Sequence, residues 1–258
     1  MRILDPLAGR YAAWLRLPAE ATADVSAEDP ALVRAMPMIM RIERAEPPPR
    51  TAMLEAAAAA AVAVCLDPRA AEPDGEWHDA VAEWVRAHIR KVARRARGAH
   101  WAAVEELPGV TVTVGGASVR ALVPGRVVDT PKEVSRLQIA GSDLPADEPD
   151  PPESDVPVLW VNPKVEMTAG KAAAQVGHAT MLLAALWQAD GADLADWAAA
   201  DYRCAVRTPS PQRWAELHPG EEPGRAWRER GVVAVRDAGF TEVAPGTVTV
   251  VAQLPRPD

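Results

Sequence analysis

Apolar positions along this chain recur with two periods, and the switches between them outline most of its elements. Thr51 to Leu66 is an alanine-rich apolar run with Thr51 placed to cap it and Pro68 beyond its end, which predicts a closely packing helix. Trp77, Val81, Val85, Ile89 and Val92 follow at three- and four-residue spacing, which predicts an amphipathic helix whose far end, Arg86 to Arg97, is basic. The pattern then alternates: Val110–Val114 and Ser118–Val123 flank Gly115-Gly116, a hairpin signal. Residues 125–144 look irregular, with a short helix near Lys132–Leu137, and Met36-Pro37-Met38-Ile39-Met40 reads as ordinary core packing. Further on, Val158–Val161 reads as a strand, Ala169 to about Gln188 as a long helix, and Arg203–Arg207 as a second strand. Ser210 caps a helix with Pro211 at its first position, and Val232–Arg236 and Thr247–Leu254 complete a set of four strands alternating with helices.

Between these halves, Gly141 to Pro157 holds six acidic residues, five prolines and no basic residue, a composition that builds no core and predicts an extended, mobile linker. The expected organisation is therefore an accessory α+β domain over residues 1–140, an acidic Pro-rich linker over 141–157, and an α/β domain over 158–258. At 258 residues with 48% hydrophobic content, two ordinary domains fit. The apolar stretch Ala56–Leu66 is too short to span a bilayer and lacks a signal-peptide layout, so a soluble, cytoplasmic protein is expected, with no membrane partner. Cys65 and Cys204 each sit in an apolar element of a different half and read as reduced thiols.

The net charge of −8 argues against a uniformly basic nucleic-acid binder, but the charge is unevenly spread. Six basic and no acidic residues lie between Arg86 and Arg97, so Arg86, Arg90, Arg94 and Arg95 are candidate RNA-backbone contacts. The histidines His78, His88 and His100 show no metal-ligand spacing, and no metal site or cofactor is implied.

Chemistry concentrates in two stretches. Met167-Thr168-Ala169-Gly170-Lys171 through Gln175 and His178 opens the long helix, which puts Lys171, Gln175 and His178 on one face at i, i+4 and i+7. A helix otherwise built of Ala, Val, Met and Leu is largely buried, and a buried Lys needs a partner; Asp237 is the obvious one. It opens the second stretch, Asp237-Ala238-Gly239-Phe240-Thr241-Glu242-Val243-Ala244-Pro245-Gly246-Thr247-Val248-Thr249, at the carboxyl end of a strand, where open α/β sheets bind ligands. A phosphate-loop reading of Gly170-Lys171 fails, because Val165 and Ala172 stand where Gly and Ser or Thr are required.

In this order and spacing, the two stretches resemble the signature of the type II peptidyl-tRNA hydrolases over about residues 157–255. The resemblance implies an α/β fold, a three-layer C-terminal domain with a mixed four-stranded sheet flanked by helices. It also implies an activity without cofactor: hydrolysis of the ester joining a peptide, or an N-blocked amino acid, to tRNA, with peptidyl-tRNA as the RNA partner. On that basis Asp237 orients or deprotonates the water, and Lys171 stabilises the oxyanion or a phosphate at the helix N-terminus. Thr241 and His178 join them as catalytic candidates. Gln175, Gly170, Gly246, Thr247, Thr249 and Lys164 are the substrate-binding candidates. Three positions depart from the pattern: Lys164 stands where Asp is usual, and Phe240 and Glu242 where Arg and Gln are usual. The alternative is a non-catalytic tRNA-binding or partner-docking protein on the same fold. A homodimer is compatible with either reading.

Overall fold

The computed structural model describes residues 1–139 and 143–255. The N-terminal half runs α1 (Asp5–Arg16), α2 (Ala19–Thr22), β1 (Arg34–Arg41), α3 (Arg50–Leu66), α4 (Pro68–Ala71), α5 (His78–Arg86), β2 (Arg90–Ala96), α6 (Gly98–Glu105), β3 (Gly109–Val114), β4 (Ala117–Leu122), β5 (Gly125–Arg126) and α7 (Lys132–Ser135). The C-terminal half runs β6 (Val158–Val161), α8 (Ala169–Ala189), α9 (Ala195–Ala199), β7 (Ala205–Arg207), α10 (Pro211–Leu217), α11 (Pro223–Arg230), β8 (Val232–Arg236) and β9 (Val248–Gln253). Of the expected units, residue 140, residues 141–142 at the start of the linker, and residues 256–258 lie outside the described residues.

The two halves repeat one topology. The first sheet is ordered β2-β1-β4-β3 with β5 added to β1, and the second β7-β6-β9-β8. In each, the first strand pairs in parallel with the strand after the long helix (Met36 opposite Lys91; Leu159 opposite Val206) and antiparallel with the last (Met40 opposite Val119; Leu159 opposite Ala252). Both are the right product of a β-α-β unit closed by a hairpin. The C-terminal sheet is the mixed four-stranded one expected, with Trp214, Leu217 and Ala226 of α10 and α11 packed on its outer face. Trp101, Val104 and Val134 of α6 and α7 do the same for the first sheet.

Alanine decides how the halves meet. Small side chains let α3 and α8 lie close together between the two sheets, and one apolar core runs through both helices and both inner sheet faces. A Cβ built on Gly177 of α8 would stand 2.9 Å from the Ala61 Cβ of α3 and 3.2 Å from Lys91 Cε of β2, so only glycine fits without displacement. Thr180 Oγ1 donates to the Ala58 carbonyl across the same crossing, at 2.7 Å. Gly177→Val is therefore expected to destabilise the protein by about 1–3 kcal/mol through overpacking, read as a lower urea midpoint at unchanged slope.

One local expectation is corrected. Residues 86–97 do not continue the helix: α5 ends at Arg86, and Arg90–Ala96 is strand β2. The helical spacing ends where Trp84 Nε1 donates to the Arg90 carbonyl at 3.1 Å, and parallel pairing with β1 then holds the chain extended. The four arginines consequently share no helix face. Met36, Met38, Ile39 and Met40 are fully buried in the core as expected and lie on strand β1, where Pro37 is tolerated because the antiparallel neighbour changes there from β4, opposite Met38, to β5, opposite Ala35.

The acidic segment forms no helix or strand over residues 143–153 and turns at 154–155, but it is fastened. Asp147 accepts from the Thr51 amide at 3.0 Å and from Thr51 Oγ1 at 2.7 Å, so α3 is capped from the linker rather than by Thr51. Arg50 donates to the Leu144 carbonyl and Arg207 to that of Asp150, at 3.0 and 2.8 Å.

Candidate active site

Thr168 caps α8, its Oγ1 accepting from the Lys171 amide at 3.2 Å, which fixes the first turn and aims Lys171 at the end of β8. There Lys171 Nζ donates to Asp237 Oδ2 at 2.7 Å and to Thr241 Oγ1 at 3.2 Å, and Gln175 Nε2 donates to the same Oδ2 at 2.8 Å. Asp237 Oδ1 accepts from the Gly239 amide at 2.8 Å. The Lys171 and Asp237 side chains are only 8% and 7% exposed. Thr249, fully buried on β9, donates to Gln175 Oε1 and so orients the amide. The expected Lys171–Asp237 partnership is thus present, with Gln175 and Thr241 gathered around it.

The loop after β8 is held in shape by backbone chemistry. The Asp237 amide donates to the Thr247 carbonyl at 2.8 Å and the Gly246 amide to the Asp237 carbonyl at 2.9 Å. Gly239 has φ +84°, and a Cβ there would come within 2.3 Å of the Pro245 ring, so this turn takes no other residue. Glu242 closes the loop onto the helix, accepting from the Thr168 amide at 2.9 Å and from Thr168 Oγ1 at 2.8 Å, an acid at a helix N-terminus.

These residues form one end of a cavity of about 790 Å³. Of the candidates, Lys171, Asp237, Thr241, His178, Gln175 and Gly170 line it, as do Arg86 and Arg90. Gly246, Thr247 and Thr249 shape the loop from behind. Lys164 is exposed after β6, its amide bonded to Asn162 Oδ1 at 2.9 Å, away from the cavity wall. Arg94 donates to the Leu137 carbonyl at 2.7 Å and Arg95 to Gln138, both away from the cavity.

The opposite wall comes from the N-terminal half. The α1 helix contributes Arg10, Tyr11 and Trp14, and β2 with its leading loop contributes His88, Arg90 and Lys91. Arg236 ties the walls together by donating to the carbonyls of Gly246 and Trp14, at 3.0 and 3.2 Å. Phe240, the chain's single phenylalanine, is 46% exposed at the rim, with the Arg90 guanidinium 5.0 Å from its ring centre and His88 edge-on at 6.4 Å. Glu28 neutralises this group, bonding Arg90 at 2.6 Å and also His88. Apart from Arg86 and Arg90, this wall was not legible in the sequence, since nothing in residues 1–100 marks which side chains face a helix so far along the chain.

His178 does not meet the Asp237 loop; its Nδ1 lies 3.0 Å from Lys91 Nζ. Burial, then the charges of Lys91 and Lys171, lower the His178 pKa well below the usual histidine value, so the ring is neutral near pH 7. Burial likewise brings the Lys91 amine down to about 7. Between pH 7 and the ordinary lysine value the unfolded chain holds a proton that the folded state has released, so stability rises with pH there and Lys91 disfavours folding below about 7. Thermal unfolding of the wild type is expected to shift upward between pH 7 and 9, and Lys91→Met to flatten that slope.

The repeated topology makes the asymmetry of the halves legible. Counting from the helix starts, Ala52, Ala56 and Ala59 of α3 occupy the places of Lys171, Gln175 and His178 of α8, and Gly115 follows β3 where Asp237 follows β8. Only the C-terminal copy carries the polar cluster.

Lys171, Asp237, Gln175 and Thr241 thus form a buried polar cluster at the carboxyl end of β8, in an α/β domain. Residues 156–258 match the family model described as Peptidyl-tRNA hydrolase PTH2, and the N-terminal region matches none. No curated protein and no solved structure matches the chain. The family's hydrolase activity on peptidyl-tRNA is what its description names.

Proposed function

We propose that the protein hydrolyses the ester between a peptide, or an N-blocked amino acid, and the ribose of tRNA, so recycling tRNA in the cytoplasm without a cofactor. The observation that carries this is the buried Lys171–Asp237 pair with Gln175 and Thr241 inside a cavity, in the part of the chain that matches the family. A carboxylate has about four lone-pair directions, and Asp237 uses three of them, leaving one on Oδ1 for a water. Lys171 has three N–H donors and uses two, leaving one for the oxyanion that forms as that water attacks the ester carbonyl. Thr241 relays from Lys171 toward the sugar. Arg86 at the rim, outside the matched part, meets RNA phosphates, while Arg90 is held by Glu28.

Phe240 and Glu242 fit this reading. Glu242 is engaged in capping α8, and Phe240 presents a ring face at the rim on which a base can stack. The experiment is to incubate the purified protein with peptidyl-tRNA carrying a labelled peptide. Free peptide and tRNA with an intact 3′ end are expected; bound but uncleaved substrate would instead establish a non-catalytic RNA-binding protein.

A further inference from the structure

We infer that Lys91, supplied by the N-terminal half, is a specificity-determining residue that donates to a main-chain carbonyl of the substrate's acyl chain two to three residues from the ester. The inference rests on the hydrolase reading for the ester's position. Lys91 Nζ lines the same cavity as Lys171 and Asp237, and among the described residues its side chain makes no ion pair with a carboxylate. Its stem is pinned against Gly177 and its head stands beside His178 and 5.0 Å from the Trp84 ring centre, so the ammonium cannot swing out to solvent without unpacking the helix crossing.

A part-buried cation without an acid is costly, and it is held here at a place where a ligand acceptor would meet it. With one N–H given to the neutral imidazole of His178, the protonated amine retains two donors. His178 lies seven residues beyond Lys171 on α8, which at 1.5 Å per residue is about 10 Å along the cavity. An extended peptide advances about 3.3–3.6 Å per residue, so the third residue of the acyl chain arrives beside Lys91. Around this end the wall is apolar, with Leu7, Ile89 and Leu182, whereas the arginines and Phe240 gather at the rim; peptide inward and nucleotide outward is the orientation that matches both.

The groups facing Lys91 are His178 from α8 and, more distantly, Cys65 from α3. The Cys65 thiol is pushed up to about 12 by burial and His178 is held neutral, so across pH 6–8 Lys91 is the one of these that changes charge.

The test uses the full chain and two acceptor-stem minihelices ending in 3′-amino-adenosine, one amide-linked to N-acetyl-alanine and the other to N-acetyl-trialanine. Wild type is expected to bind the longer probe about tenfold more tightly at pH 6, the size of one hydrogen bond to a charged donor, with the preference shrinking by pH 8. Lys91→Met should erase the preference and its pH dependence while leaving affinity for the short probe unchanged. An equal loss on both probes would make Lys91 merely structural, and an unchanged preference in the variant would remove it from recognition; either overturns the inference. If the probes bind as expected but ester-linked counterparts survive, the hydrolase reading falls and the Lys91 inference stands on affinity alone. Binding to neither probe refutes both.

Discussion

Asp237→Asn is expected to slow ester cleavage by at least about a hundredfold, and toward ten-thousandfold if the carboxylate takes the proton, while RNA affinity is kept. Three donors converge on this side chain, from Lys171, Gln175 and Gly239. An amide presents one oxygen, so whichever way Asn turns, its NH2 faces at least one of those donors and the water site is lost with the geometry. The change also leaves the buried Lys171 ammonium without its anion, a loss of about 3–5 kcal/mol where a buried pair is broken one-sidedly. Melting temperature must therefore be measured beside the single-turnover rate. A folded variant with bound, intact substrate is the expected result, and a folded variant that still cleaves at the wild-type rate would take Asp237 out of the reaction.

The second large effect is on folding. Residues 156–258 expressed alone are expected to lack a cooperative unfolding transition and to bind hydrophobic dyes, because α8 buries one of its faces against α3. Thr180 would lose the Ala58 carbonyl, the ground around Gly177 would lose Ala61 and Lys91, and the cavity would lose an entire wall. Adding the N-terminal half in trans should restore a transition. A sharp transition in the fragment by itself would show that the helix crossing contributes little to its stability.

How much of this was legible in the sequence follows from the range of the interactions involved. Lys171 and Asp237 could be paired in advance because each is marked locally, one by the apolar helix it opens and one by a polar residue ending an apolar strand. The hairpin at Gly115-Gly116 and the capped α10 were legible for the same reason. β2 was not, since Trp77 to Val92 keeps helical spacing through a turn, and pairing with β1, more than fifty residues earlier, is what makes it a strand. Lys91 was hidden twice over: it lies among arginines in a segment read as helix, and its partner His178 is 87 residues away. The shared topology of the halves left no trace in the motifs because Ala52, Ala56, Ala59 and Gly115 fill the polar positions of the first copy.

In the proposed reaction Lys171 and Asp237 act as one ester-cleaving unit. The direct measurement is the single-turnover cleavage rate of N-acetyl-aminoacyl-tRNA by the wild type, Asp237→Asn, Lys171→Met and the double variant. Groups that act as a unit are non-additive, so the double variant is predicted to be no slower than the worse single one. Losses that multiply in the double variant would mean two independent contributions and would contradict the account.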